Sequence, residues 1–225
     1  MKNKEKLTIK ECYDLLDRYK TSSVVKGHIE SVAKVSYLIG KKMRENKKDI
    51  DVHSLVYAAL LHDIFKIIEI KDLDRLHSKK EVFLKKSFWL KLQKKFKGKE
   101  HEEAFDIEFG KKYPKVSKIV LNHKYSQIHK GFESWEEKIL YYSDKIVMFD
   151  RITTLKERLD DAKKRYAHRF VTEEDQEFVD KTNERIFSLE KEIFKTTGLN
   201  QEDLIRLNDI SLKKLLKTDF KGEMK

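Results

Sequence analysis

Between Leu55 and Ile70 the chain is apolar on nearly every side of a helix, interrupted only by His62, Asp63, Lys66 and Glu69. A helix without a polar face has no stable place on a surface, so this segment belongs in the middle of a helical bundle. The rest of the chain agrees with that class. One proline and seven glycines leave few of the tight turns that a sandwich, a barrel or a parallel sheet needs. With 225 residues there is enough chain for one well-buried core and a helical appendage.

Helix starts are legible from local chemistry. Thr8-Ile9-Lys10-Glu11 reads as a capping box and opens a helix that runs to about Lys20. A second helix follows Thr21-Ser22-Ser23, and its three- and four-residue apolar steps put His28 on the inward face. Asp51 or Ser54 caps the central Leu55 to Ile70 helix. After a lysine-rich amphipathic stretch ended by Gly98, helical pieces are expected over Glu100 to Lys112 and from Pro114 to about Tyr125. Ser134-Trp135-Glu136-Glu137 is a second capping box, opening a helix that carries Asp144 and is read as continuing to Leu155. Thr172 with Asp175 starts a long helix ended near Gly198, and Asn200 caps a short last one. The expected organisation is a core over residues 1–155, with residues 71–99 as a basic helical insert, and a C-terminal helical extension over 156–225.

Composition narrows the setting. Cys12 is the only cysteine, so no internal disulfide can form. No apolar run approaches the roughly 20 residues of a membrane span, and the start MKNKEKLTIK has no apolar leader segment. A cytoplasmic protein without a membrane partner is the expectation. The net charge is +11, and Lys71 to Lys99 alone holds eleven basic residues against three acidic ones. That balance fits either a solvated face or a polyanionic partner.

His62-Asp63 demands a functional account. Burying a carboxylate in an apolar helix costs several kcal/mol unless a cation or hydrogen-bond donors compensate. A lone core histidine is ordinarily a satisfied one, but here polar exceptions recur at inward positions of separate helices: His28, His62, Asp63, His123 and Asp144. Imidazole and carboxylate together suit divalent ions such as zinc, iron or manganese, and the absence of cysteine from this set excludes a structural thiolate site. His53, His77, His129 and His168 lie in polar contexts and read as surface residues.

The order of a lone His, then His-Asp, then a distant Asp resembles the HD-domain superfamily of metal-dependent phosphohydrolases, over roughly residues 24 to 155. The resemblance rests on Gly27-His28-Ile29-Glu30, on Ala58-Ala59-Leu60-Leu61-His62-Asp63-Ile64-Phe65-Lys66 and on Tyr141-Tyr142-Ser143-Asp144-Lys145-Ile146. The middle piece is the specific one. His101 and His123 extend it to the two-metal variant of the family. There the resemblance implies that His28, His62, Asp63 and Asp144 hold one divalent ion, with Asp63 bridging to a second held by His101 and His123. The ion is one of Mn, Fe, Zn, Ni, Co or Mg. The implied fold is an all-α, HD-domain-like helical bundle with a C-terminal helical extension.

The implied activity is hydrolysis of a phosphate ester or anhydride, because such ions acidify bound water and neutralise phosphoryl charge. Asp63 and Lys66 are the candidate catalytic residues, and Lys66, Lys145 and Arg151 the candidate substrate contacts. A phosphorylated small molecule, a nucleotide first, is the expected partner. A nucleic-acid-binding or regulatory module is the competing reading, and the long C-terminal helices leave a homodimer open. Phe65 stands where family members often have a small residue, and the Gly-Tyr-Pro signature of cyclic dinucleotide phosphodiesterases is missing. The chain looks more like the small stand-alone members, including those that split dinucleoside polyphosphates. It has Met148-Phe149-Asp150-Arg151 in place of their acidic-proline-arginine segment. The resemblance therefore carries no particular substrate. The lysines between His-Asp and the second histidine pair are expected to form a lid or rim at the site.

Overall fold

A computed structural model describes residues 7–73, 77–166 and 171–223. Arg75 of the basic stretch, His168 and the first six residues lie outside the described residues. The chain opens with α1 (Ile9–Arg18) and α2 (Ser23–Glu45), whose first turns are capped by the Thr8 and Ser22 hydroxyls accepting from Glu11 N and Val25 N. Asp51 caps α3 (Val52–Leu61), and a 3-10 turn covers Lys66–Glu69. Then follow α4 (Lys79–Lys95), α5 (His101–Phe109), α6 (Pro114–Leu121) and the short α7 (Gln127–Lys130). Next is α8 (Trp135–Lys145), capped by Ser134. A two-stranded antiparallel hairpin, β1 (Val147–Met148) and β2 (Arg151–Ile152), comes next. The chain finishes with α9 (Leu155–Tyr166), α10 (Glu173–Thr197), α11 (Gln201–Ile205) and α12 (Leu212–Leu216).

This is an all-α architecture, and α3 is at its centre, packed by α2, α6, α8 and α1. From Leu55 to Leu61 every α3 side chain is buried, as an all-apolar helix requires. Close approach of α2 and α3 depends on Gly40. A Cβ there would lie 2.9 Å from Leu55 Cδ2, inside normal contact distance.

Two expected helices are shorter than their apolar patterns suggested. The central one was read as continuous to Ile70, but its α-helical part stops at Leu61. Beyond it the bonds tighten to three-residue steps: Ile64 N to Leu61 O at 3.0 Å, Lys66 N to Asp63 O at 2.9 Å and Ile68 N to Phe65 O at 3.0 Å. Tightened turns keep residues inward at a similar spacing, so the apolar pattern does not reveal them. The Asp144 helix likewise ends at Lys145 rather than Leu155, and the hairpin reverses the chain at Phe149-Asp150. Phe149 has φ of 57°, an uncommon conformation for a bulky residue.

The C-terminal segment packs on the core. Helix α10 lies against α2, α7 and α8, and α12 lies against α2. Ile186, Ile193, Leu216 and Phe220 join the same buried cluster as Leu60 and Tyr142.

Candidate metal centre

Four histidines converge on two carboxylates, and each ring is fixed through its Nδ1. His62 Nδ1 lies 2.8 Å from Ala59 O, His123 Nδ1 2.7 Å from Val120 O and His28 Nδ1 2.8 Å from Phe149 O. A carbonyl can only accept, so these three Nδ1 atoms carry the proton; Nε2 of His62 and His123 then presents a lone pair, while His28 Nε2 is directed at the Asp144 carboxylate. The fourth ring, His101, sets its Nδ1 2.5 Å from Glu69 Oε1, and the same carboxylate accepts from the His101 backbone N–H at 3.0 Å. Carboxylate or carbonyl bonding of the far nitrogen is how proteins orient metal-ligating imidazoles.

The hairpin explains why Phe149 is held at positive φ. Its carbonyl anchors His28, and the next carbonyl, Asp150 O, accepts from Ser31 Oγ at 2.5 Å. Gly27 gives room for the turn, since a Cβ there would meet Asp150 Cβ at 3.0 Å.

The donor atoms fall into two groups joined by Asp63. His28 Nε2 is 3.0 Å from Asp144 Oδ1 and 3.9 Å from Asp63 Oδ2, while His62 Nε2 is 3.7 Å from Asp63 Oδ2 and 3.8 Å from Asp144 Oδ1. On the other side, His101 Nε2 is 2.9 Å from Asp63 Oδ1, without the alignment of a hydrogen bond. His123 Nε2 faces Glu102 Oε1 at 3.9 Å, and its ring meets both His62 and His101 edge-on. Ligands about 2.1 Å from one ion stand about 3.0 to 4.2 Å apart, so these spacings fit a shared cation.

Polar satisfaction points the same way. His62 Nε2, His101 Nε2 and Glu102 Oε2 are buried without a hydrogen-bond partner, a costly state that a bound cation would relieve. Burial pushes the His62 and His123 imidazoles below their usual range, keeping them neutral. Against its burial and the nearby Lys66, Asp63 and Glu69 raise His101 to about 9. Asp63 and Asp144 are held well below the usual carboxylate range despite burial, Asp63 by Lys66 and His62 and Asp144 by Lys145 and His28.

Each expected site residue has a definite position. His28, His62, Asp63, His101, His123 and Asp144 come together. Lys66 Nζ lies 3.2 Å from Glu69 Oε2 and 4.0 Å from Asp63 Oδ1, reaching over the 3-10 turn rather than along a helix. Lys145 Nζ is engaged by Asp144 Oδ2 at 2.5 Å, above the Tyr141 ring. Both lysines line a cavity of about 790 Å³ that also exposes His101, His123 and Asp144. Arg151 is exposed on β2 and does not line it; Arg158, fixed by an Nε donation to Val147 O at 3.1 Å, does. No lysine of residues 71–99 lines the cavity either; α4 buries Val82, Trp89 and Leu92 and packs against the 3-10 turn with its lysines outside the cavity wall. The expected lid or rim is therefore not formed by these residues.

Two site carboxylates are absent from the sequence reading. Glu69 looks like a polar break in an apolar run, and Glu102 like one more charge in a charge-rich helix. Only the packing of α5 against the 3-10 turn buries Glu102 to 5% exposure. Three of the supposed surface histidines also serve packing, His53 by setting its ring against Phe220. His77 is buried, donating to Leu73 O beside Trp89, and His129 stacks on Phe178 with Nε2 2.7 Å from Thr182 Oγ1.

The HD-domain family model matches residues 25–155, more than half of the chain and the whole stretch from α2 to the end of the hairpin. The protein belongs to the HD-domain family, a family generally of metal-dependent phosphohydrolases with divalent ions bound by His and Asp. No curated protein and no solved structure matches the chain.

Proposed function

We propose that the chain hydrolyses a phosphate ester or anhydride, a nucleotide first among substrates, using one or two divalent ions held by His28, His62, Asp63, His101, His123 and Asp144. The observation that carries this reading is the set of four imidazoles, each tied down at Nδ1, with Nε2 of His28, His62 and His101 turned toward Asp63 or Asp144 and that of His123 toward Glu102. A binding module has no physical need for such a costly arrangement. Divalent ions at these donors supply acidity to water and positive charge to phosphoryl oxygens.

The chain's own groups complete the site. Lys66 keeps its ammonium beside Asp63 and at the cavity wall, placed to contact a phosphoryl oxygen. The Phe149 carbonyl orients the His28 ring through Nδ1, and Lys145 neutralises the Asp144 oxygen turned away from that ring. A cavity of about 790 Å³ is within the range that takes a small organic ligand. Its far wall brings Gln176, Val179 and Asn183, three, four and seven residues apart on one face of α10. An apolar contact between amides suits a base or another planar polar group.

The test is metal analysis of the purified chain, then hydrolysis of p-nitrophenyl phosphate, its bis-ester and a nucleotide panel with added manganese. Metal binding with turnover in at least one class is expected; a protein that takes up no divalent ion would end the reading.

Glu102 is a further candidate ligand, because His101, Glu102 and His123 offer donor atoms within 4.8 Å of one another. Glu102→Gln is expected to bring a two-ion protein down toward one ion per chain and to lower kcat about tenfold to a hundredfold. Unchanged ion content by plasma mass spectrometry would assign Glu102 a purely structural role.

A further inference from the structure

Helix α4 is apolar on two sides, and only one of them is used by the fold. Val82, Trp89 and Leu92 face the core, Trp89 Nε1 donates to Lys20 O, and buried Glu81 accepts from Ser23 N and Oγ at the start of α2. On the opposite side Phe83 is 86% exposed, Leu84 61% and Leu90 48%. Phe83 and Leu90 are seven residues apart and so share one stripe, with Leu84 beside it. No side chain of the core covers them.

Lysine surrounds this stripe. Lys79, Lys80, Lys86, Lys91 and Lys94 are all exposed. None has a carboxylate within 4.0 Å among the described residues. The one acid of α4, Glu81, is buried on the other side. The exposed face therefore combines protruding apolar side chains with unneutralised positive charge of a single sign.

We propose that this face docks the protein onto the surface of an anionic phospholipid bilayer. A second copy of the same face would bring lysine against lysine, which is repulsive. A nucleic acid would satisfy the lysines but offer nothing to Leu84 and Leu90. A bilayer with acidic headgroups satisfies both, because apolar side chains enter the headgroup and acyl boundary while lysine stems bend their ammonium groups toward phosphate. No helix among the described residues is long and apolar enough to cross a membrane, so the contact is with the surface alone.

Cosedimentation of the full chain with large unilamellar vesicles tests this. The protein is expected to pellet with phosphatidylcholine vesicles containing phosphatidylglycerol, and to stay in solution with phosphatidylcholine alone. The triple variant F83S/L84S/L90S keeps every charge and touches only exposed positions. It is expected to lose about tenfold or more in vesicle partitioning while melting at the wild-type temperature. Three outcomes with vesicles or RNA would overturn the proposal. They are no pelleting with acidic vesicles, equal pelleting of wild type and triple variant, and an RNA of matched charge that displaces vesicles while binding both proteins equally. A concentration-dependent dimer broken by the triple variant would assign the face to a second copy instead, and also overturn it.

Discussion

Replacing Asp63 by alanine is expected to lower turnover about a thousandfold, or roughly 4 kcal/mol of transition-state stabilisation, and to strip divalent metal from the folded protein. Asp63 puts one oxygen on each side of the site. Its Oδ2 faces His28 and His62 at 3.9 and 3.7 Å, and its Oδ1 faces His101 at 2.9 Å. Loss of Asp63 therefore removes an oxygen donor from both sides at once. The fold is expected to survive, because Lys66 keeps Glu69 at 3.2 Å and His101 keeps its bond to the same carboxylate. Buried cations that retain a partner avoid most of the cost of an unpaired charge. Steady-state kinetics and metal analysis on a circular-dichroism-checked variant are the measurements. Equal activity of wild type and Asp63→Ala would remove the site from the chemistry altogether.

What could be read in advance was what is local. The N-cap bonds at Thr8, Asp51, Ser134, Thr172 and Asn200 act within three residues of themselves, and each is formed. The returning carboxylate bond that completes a capping box is made at Thr172 and Asn200 and not at Thr8 or Ser134, and of Asp51 and Ser54 it is Asp51 that caps. His62-Asp63 stood out because polar groups inside an apolar run need a partner, and the family pattern then linked them to residues as distant in the chain as His28 and Asp144. Misread features depended on tertiary packing. Apolar periodicity continues through a 3-10 turn and into a hairpin, so it overran Leu61 and Lys145. Chain position between two motifs says nothing of the side on which a helix packs, and α4 turned its lysines away from the cavity. Glu69 and Glu102 became site residues only because α5 buries one and hydrogen-bonds the other through His101. No single-residue signal distinguishes them from the other acids of so charged a chain.

The expected division at residue 155 leads to the second large effect: a chain ended there should fail to fold cooperatively, and Phe220→Ala in the full chain should cost about 3–5 kcal/mol. Phe220 is 1% exposed and packs its ring against Tyr37, His53 and Tyr57, so its removal opens a cavity between α2 and α3. The same C-terminal stretch supplies hydrogen-bond partners to the start of the bundle. Asp219 accepts from Tyr37 Oη and from Arg44, Glu223 accepts from Tyr57 Oη, and Glu223 O accepts from Lys10 N. Buried Glu190 of α10 accepts from Tyr142 Oη, two residues before Asp144. Ending the chain at 155 would therefore expose apolar surface of α2 and α8 and leave buried tyrosine hydroxyls unpaired in one step. A typical domain has only about 5–15 kcal/mol of net stability to lose. Urea unfolding followed by tryptophan fluorescence measures the Phe220→Ala cost. A soluble 1–155 fragment with a sharp melt and bound metal would show that the HD core stands without its extension.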